Sequence, residues 1–134
     1  MFLKNAMAGF LAVFFAVPGS AQEAVSPGAF LDRAVGRTLT FTNPATGRRV
    51  GVEQFLRRDR SVWATDSGRC TYGTIEIRDA YICYIYEDAP DPENCWLAYM
   101  DDNELIVVSG KTGEIQAVTG FSDAPVICED KPVS

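Results

Sequence analysis

From Thr38 to Phe121 the sequence keeps to a two-residue period, broken only by short clusters of Gly, Pro, Asn, Asp and Ser. Such alternation sends successive side chains to opposite faces of an extended chain, so it specifies half-buried β-strands. Residues 38–42 are the plainest case, with Leu39 and Phe41 on one side and threonines on the other. Comparable runs follow over 49–55, 61–65, 71–77, 81–86, 95–100, 104–109 and 114–121. In 49–55, Val50 and Val52 share a face opposite Arg49 and Glu53. Turn chemistry separates the runs: Asn43-Pro44-Ala45-Thr46-Gly47, Asp66-Ser67-Gly68, Asp101-Asp102-Asn103 and Gly110-Lys111-Thr112-Gly113. A Greek key would need a long crossing connection, whereas hairpin-length links favour a meander. The expected fold is all-β: a small eight-stranded up-and-down antiparallel barrel, lipocalin- or avidin-like in miniature, or a strongly curled meander.

Ahead of the strands lie Lys4, an apolar run over 6–17, and Pro18-Gly19-Ser20-Ala21. The run is too short for a bilayer, which needs about 20 residues. Its three-part layout is that of a secretory signal peptide, with Gly19 and Ala21 at the cleavage positions. Residues 1–21 are therefore expected to be removed, leaving one domain over 22–134 with no stable membrane insertion. Residues 22–25 read as a loose terminus. Ser26-Pro27 is a helix start, and a helix over 27–35 stopped by Gly36 is expected, laid against the sheet or over a barrel mouth. The remaining tail spans 122–134.

Without Lys4 the chain carries 11 basic and 18 acidic side chains, a formal charge of −7. That surface repels phosphate backbones and argues against a nucleic-acid partner. No histidine is present, which removes the commonest general base and metal ligand. Four cysteines, with 12, 11 and 32 residues between successive ones, lack the paired short spacings of a zinc site. Two disulfides are the better reading. They imply an oxidising compartment, periplasmic or secreted, and neither metal nor cofactor. Cys83 and Cys95 flank the loop over 87–94, so Cys83–Cys95 with Cys70–Cys128 is the expected pairing. In a full-height meander Cys83 and Cys95 would begin strands at opposite ends, and Cys70–Cys95 with Cys83–Cys128 is then the alternative.

Residues 70–100 hold three of the four cysteines and all five tyrosines. In the hairpin over 81–100 one face carries Tyr81, Cys83, Ile85, Cys95, Leu97 and Tyr99. The other carries Ile82, Tyr84, Tyr86, Trp96, Ala98 and Met100. A barrel wall needs only one apolar face. The second is either covered by the helix or tail, or it is a binding patch made of Ile82, Tyr84, Tyr86, Trp96 and Met100. Such residues are enriched at hot spots, so the expected role is docking of an envelope protein through an outward aromatic face. A small apolar ligand inside the barrel is the alternative, and the chain is expected to be a monomer or weak dimer.

The framework Cys70, Tyr72-Gly73, Ile75, Ile77, Ile82-Cys83-Tyr84, Tyr86-Glu87-Asp88, Pro90 and Cys95-Trp96 continues into Val107-x-Ser109-x-x-Thr112-Gly113-Glu114-Ile115-Gln116 and Pro125-Val126-Ile127-Cys128. It resembles a group of small exported alphaproteobacterial proteins carrying a domain of unknown function, over most of the chain from about Gly36. The resemblance implies a secreted β-rich fold with two disulfides and no assigned activity or catalytic residue. Where such proteins often carry tryptophan, this chain has Ile75.

Catalysis would fall to carboxylates: Glu87, Asp88, Asp91 and Glu93 in one loop, Asp101, Asp102 and Glu104 around the next turn. A carboxylate pair can hydrolyse glycosides. Both clusters lie in polar turns with nothing apolar to raise a pKa, and they read as solvated charge. The D-x-D-x-D-G spacing of a calcium loop is absent.

Overall fold

The computed structural model describes residues 9–16 and 22–129. Lys4, the expected cleavage positions Gly19 and Ala21, and residues 130–134 of the tail lie outside the described residues. Residues 9–16 have no regular secondary structure, and Phe10 and Phe14 are almost wholly exposed, so this apolar segment contributes nothing to the core.

In chain order the elements are β1 (Glu23–Val25), α1 (Pro27–Ala34), β2 (Thr38–Thr42), β3 (Arg49–Arg57), β4 (Arg60–Ala64) and β5 (Cys70–Arg78). They continue with β6 (Tyr81–Tyr86), β7 (Cys95–Asp101), β8 (Glu104–Ser109) and β9 (Ile115–Ser122). Strands β2 to β9 pair antiparallel in sequence order, and β9 returns to pair with β2. The result is a closed eight-stranded up-and-down barrel. Closure pairs its strands on both sides except along the short seam between β6 and β7. Tight links are built by residues that tolerate positive φ: Asp102 and Asn103 both adopt it (47° and 65°), as a two-residue primed hairpin turn requires.

Residues 22–25 are not a loose terminus. Strand β1 pairs antiparallel with β7, matching Glu23 with Met100 and Val25 with Ala98. The reason lies in β7. Along one edge it pairs with β8 from Trp96 to Asp101, but along the other it meets β6 only at Cys95 and Trp96. Beyond that point β1 takes the place of β6 and satisfies backbone groups that would otherwise be unpaired.

Helix α1 is capped by the Ser26 hydroxyl, which accepts from the Ala29 N–H at 3.2 Å, and ends before Gly36, whose φ is +83°. Its buried face, Phe30, Leu31 and Ala34, plugs one end of the barrel. The Phe30 ring meets Phe55 edge-on at 5.8 Å. The Gly36 N–H donates to the Phe55 carbonyl, and Arg58 of the β3–β4 turn pairs with Asp32 at 2.7 Å. The interior continues through Leu39, Ile75, Ile82, Leu105 and Val107.

The alternation of β3 leaves open which of its faces is inside. Gly51, Glu53 and Phe55 point into the barrel and Val52 looks out, while Val50, the extra residue where the β2–β3 register shifts, packs against the inner core. The tail makes this possible. Val126 packs over Val62 and Ala64 with Val52 beside them, held by the Cys70–Cys128 disulfide, so β3 and β4 have a second apolar layer outside.

The second disulfide joins Cys83 to Cys95, which are directly opposed in the two-pair contact between β6 and β7. Partial overlap of these strands brings together two positions that a full-height hairpin would hold apart. Every other barrel seam has four to six residue pairs. Closing a loop of sequence separation 12 is worth about 3 kcal/mol in the chain-entropy model. Replacing Cys83 and Cys95 together with alanine is expected to lower the free energy of unfolding in urea by about that amount. Unchanged stability would show that the short seam closes without its disulfide.

Candidate functional site

Helix α1 fills one end of the barrel, but the side chains near the other end do not fill it. A cavity of about 200 Å³ remains there. Its walls come from the strand ends that meet the loops over 43–48, 65–69, 87–94 and 110–114: Phe41, Trp63, Tyr86, Trp96 and Gln116. Trp63, Tyr86, Asn94 and Trp96 are partly exposed and form its rim. Ile82, Tyr84, Ala98 and Val107 lie deeper.

Two strand glycines make room for the aromatic walls. A Cβ on Gly51 would sit 2.5 Å from the Trp63 ring, so only glycine lets the indole lie flat across β3. Gly73 does the same for Tyr86, whose ring a Cβ would meet at 2.9 Å. Trp63 then tilts against Phe41 at 6.0 Å, and Tyr86 stacks on Tyr84 at 6.3 Å. Tyr84 in turn meets Phe55 edge-on, which links the cavity wall to the α1 plug. Trp96 is held from the loop: its indole N–H donates to Asn94 Oδ1 at 2.9 Å, while the Asn94 side-chain amide donates to the Tyr84 carbonyl. With its polar atom satisfied, the indole presents an apolar face.

Among the described residues one carboxylic acid lines this space. Glu53 is 2% exposed. The Tyr86 hydroxyl donates to its Oε2 at 2.7 Å, whereas Oε1 has no hydrogen-bond partner among the described residues. Ser61 Oγ, also buried, lies alongside but without the geometry of a bond. Loss of hydration raises the Glu53 pKa from 4.5 to about 7, against the smaller lowering influence of the Ser61 and Tyr86 hydroxyls. Of these two the well-formed Tyr86 bond carries the greater weight. Burial, and then the Glu53 charge, push the Tyr84 and Tyr86 hydroxyls well above their ordinary value, so both stay neutral.

The aromatic face singled out in the hairpin is turned inward. Ile82, Tyr84, Tyr86 and Trp96 line the cavity, and Met100 lies at the other end beside α1, where Arg33 reaches its sulfur. This corrects the expectation of an outward docking face. Tyr81, Ile85, Leu97 and Tyr99 are the outward set, each half-buried. The loop carboxylates do not enter the cavity. Glu87 pairs with Arg60 and Asp91 with Lys111, both at 2.8 Å on the surface. In the sequence Glu53 shares a face with Arg49 opposite two valines, and nothing there singles it out. Its parity with Gly51 and Phe55, a glycine and an aromatic on one strand face, is the signal that this face is inside.

No family model, curated protein or solved structure matches this chain.

An acid with a raised folded pKa binds more protons folded than unfolded. The Glu53 contribution is therefore complete below pH 4.5, declines as pH rises, and levels off above about 7. The span corresponds to about 3 kcal/mol. Urea unfolding at pH 4.5 and pH 8 is expected to show wild type losing about 3 kcal/mol more than Glu53→Gln over that interval. Parallel pH profiles for the two proteins would place Glu53 in water.

Proposed function

We propose that this chain is a non-catalytic, periplasmic or secreted binding barrel that holds one small, mainly apolar ligand in its interior. The observation that carries the reading is the aromatic-walled cavity left at the end opposite α1. An apolar cavity of about 150 Å³ is enough to bind benzene, and drug-sized ligands take about 300 Å³ or more. A space of about 200 Å³ suits one ring with a short substituent. Two disulfides support an oxidising compartment, in keeping with the signal-peptide layout of residues 1–21.

Catalysis fits the site less well. Glycoside hydrolysis uses two carboxyl groups across a cleft, whereas Glu53 is the one carboxyl on this wall among the described residues. Docking of an envelope protein through the hairpin loses the aromatic face that suggested it, because that face is the cavity wall.

Both tryptophans of the chain line the cavity, so occupancy is readable in their emission. Toluene is expected to change that emission saturably, at one molecule per chain. Ala98→Phe, which fills the space from β7, is expected to fold and to abolish the response. A wild type without saturable response, or an equal response in folded Ala98→Phe, would overturn the reading.

A further inference from the structure

Resting on that binding reading, we propose that the ligand is a small organic cation, a protonated amine whose ammonium group docks on the Glu53 carboxyl group and whose carbon frame lies among Trp63, Tyr86 and Trp96. Oε1 is a buried acceptor with no partner among the described residues, on a side chain that lines the cavity. A buried acceptor left unmade is costly, and the cost is relieved by a donor arriving in the cavity. The protein supplies no charged donor: no lysine or arginine lines the cavity among the described residues, and the Ser61 hydroxyl beside the carboxyl is neutral. The other amides are committed elsewhere, Asn94 to Tyr84 and Trp96, and Gln116 to Glu114.

The walls add a second preference for positive charge. Faces of Trp and Tyr attract ammonium groups through the ring quadrupole, most strongly where water is excluded. The approach is biased the same way. The four loops over 43–48, 65–69, 87–94 and 110–114 carry six carboxylates and three basic side chains, on a chain of net charge −6. A cation is steered to that end and an anion is repelled.

Glu53 is also poised to respond to such a ligand. Facing it are Tyr84 and Tyr86 of β6, Ser61 and Trp63 of β4, Leu39 of β2 and Gln116 of β9. None of these ionises between pH 5 and 8, since both tyrosines are raised well above 10. Titration of the site in that interval belongs to Glu53, about half ionised near pH 7. An ammonium ligand favours the ionised form, so its affinity rises with pH while that of a neutral isostere does not.

Benzylammonium and its neutral isostere ethylbenzene separate the possibilities, titrated against wild type and Glu53→Gln by tryptophan emission at pH 5.5 and pH 8. Wild type is expected to bind benzylammonium about tenfold more tightly than ethylbenzene at pH 8. Benzylammonium is expected to lose about tenfold on going to pH 5.5. Glu53→Gln should retain ethylbenzene and lose both the preference and its pH dependence. Equal or tighter binding of ethylbenzene by wild type, or a preference that survives in Glu53→Gln, would overturn the cation assignment while leaving the cavity reading intact. Failure of both probes to bind wild type would overturn the cavity reading itself.

Discussion

The Cys83–Cys95 disulfide clamps this barrel at its shortest seam. Strands β6 and β7 share two residue pairs before they part, and the crosslink sits on one of them. An unclamped seam of that length is a place for an antiparallel sheet to open, since each pair there must offset the ordering of both strands. The divergence has a structural use. It leaves one edge of β7 free for β1, which draws the chain onto the barrel just before α1 begins. Helix α1 is thereby delivered to one end, where Phe30 and Leu31 are buried.

Once the sheet is closed, its interior must be filled from within, and the two ends are treated differently. At one end α1 supplies Phe30, and an aromatic series runs from it through Phe55 and Tyr84 to Tyr86. At the other end glycine occupies two inward positions, and the rings of Trp63 and Tyr86 lie flat over them instead of projecting across the axis. Flat rings line a space without filling it. Into this space the fold places a carboxyl group with one satisfied oxygen and one unsatisfied oxygen. A leucine at position 53 would meet the needs of a packed core better. Departures from local consistency of this kind belong to functional sites.

Much of the architecture is legible in the sequence because it is local. Alternation marks the eight barrel strands, Ser26-Pro27 and Gly36 bracket α1, and hairpin-length turns fix the meander order. The cavity is less legible for a physical reason. Period two says which residues share a face, and it cannot say which face is inside when both are apolar. The hairpin of β6 and β7 has two such faces, and only the direction in which the sheet curls puts Tyr84 and Trp96 indoors. On β3 the same ambiguity hides Glu53: Val52 looks like the core residue until the tail is seen to bring Val126 to the outer surface. Strand β1 is hidden differently. Three residues carry no period, and they become a strand only because β7 outruns β6.

The most direct measurement is a carbon-13 NMR titration of the Glu53 carboxyl in the oxidised protein, followed free and with benzylammonium. A buried carboxyl on the wall of an aromatic cavity titrates with a midpoint of about 7, and the midpoint falls when the ammonium docks against it. A midpoint near the ordinary 4.5, unmoved by the amine, would put Glu53 in water and contradict the cavity and its ligand together.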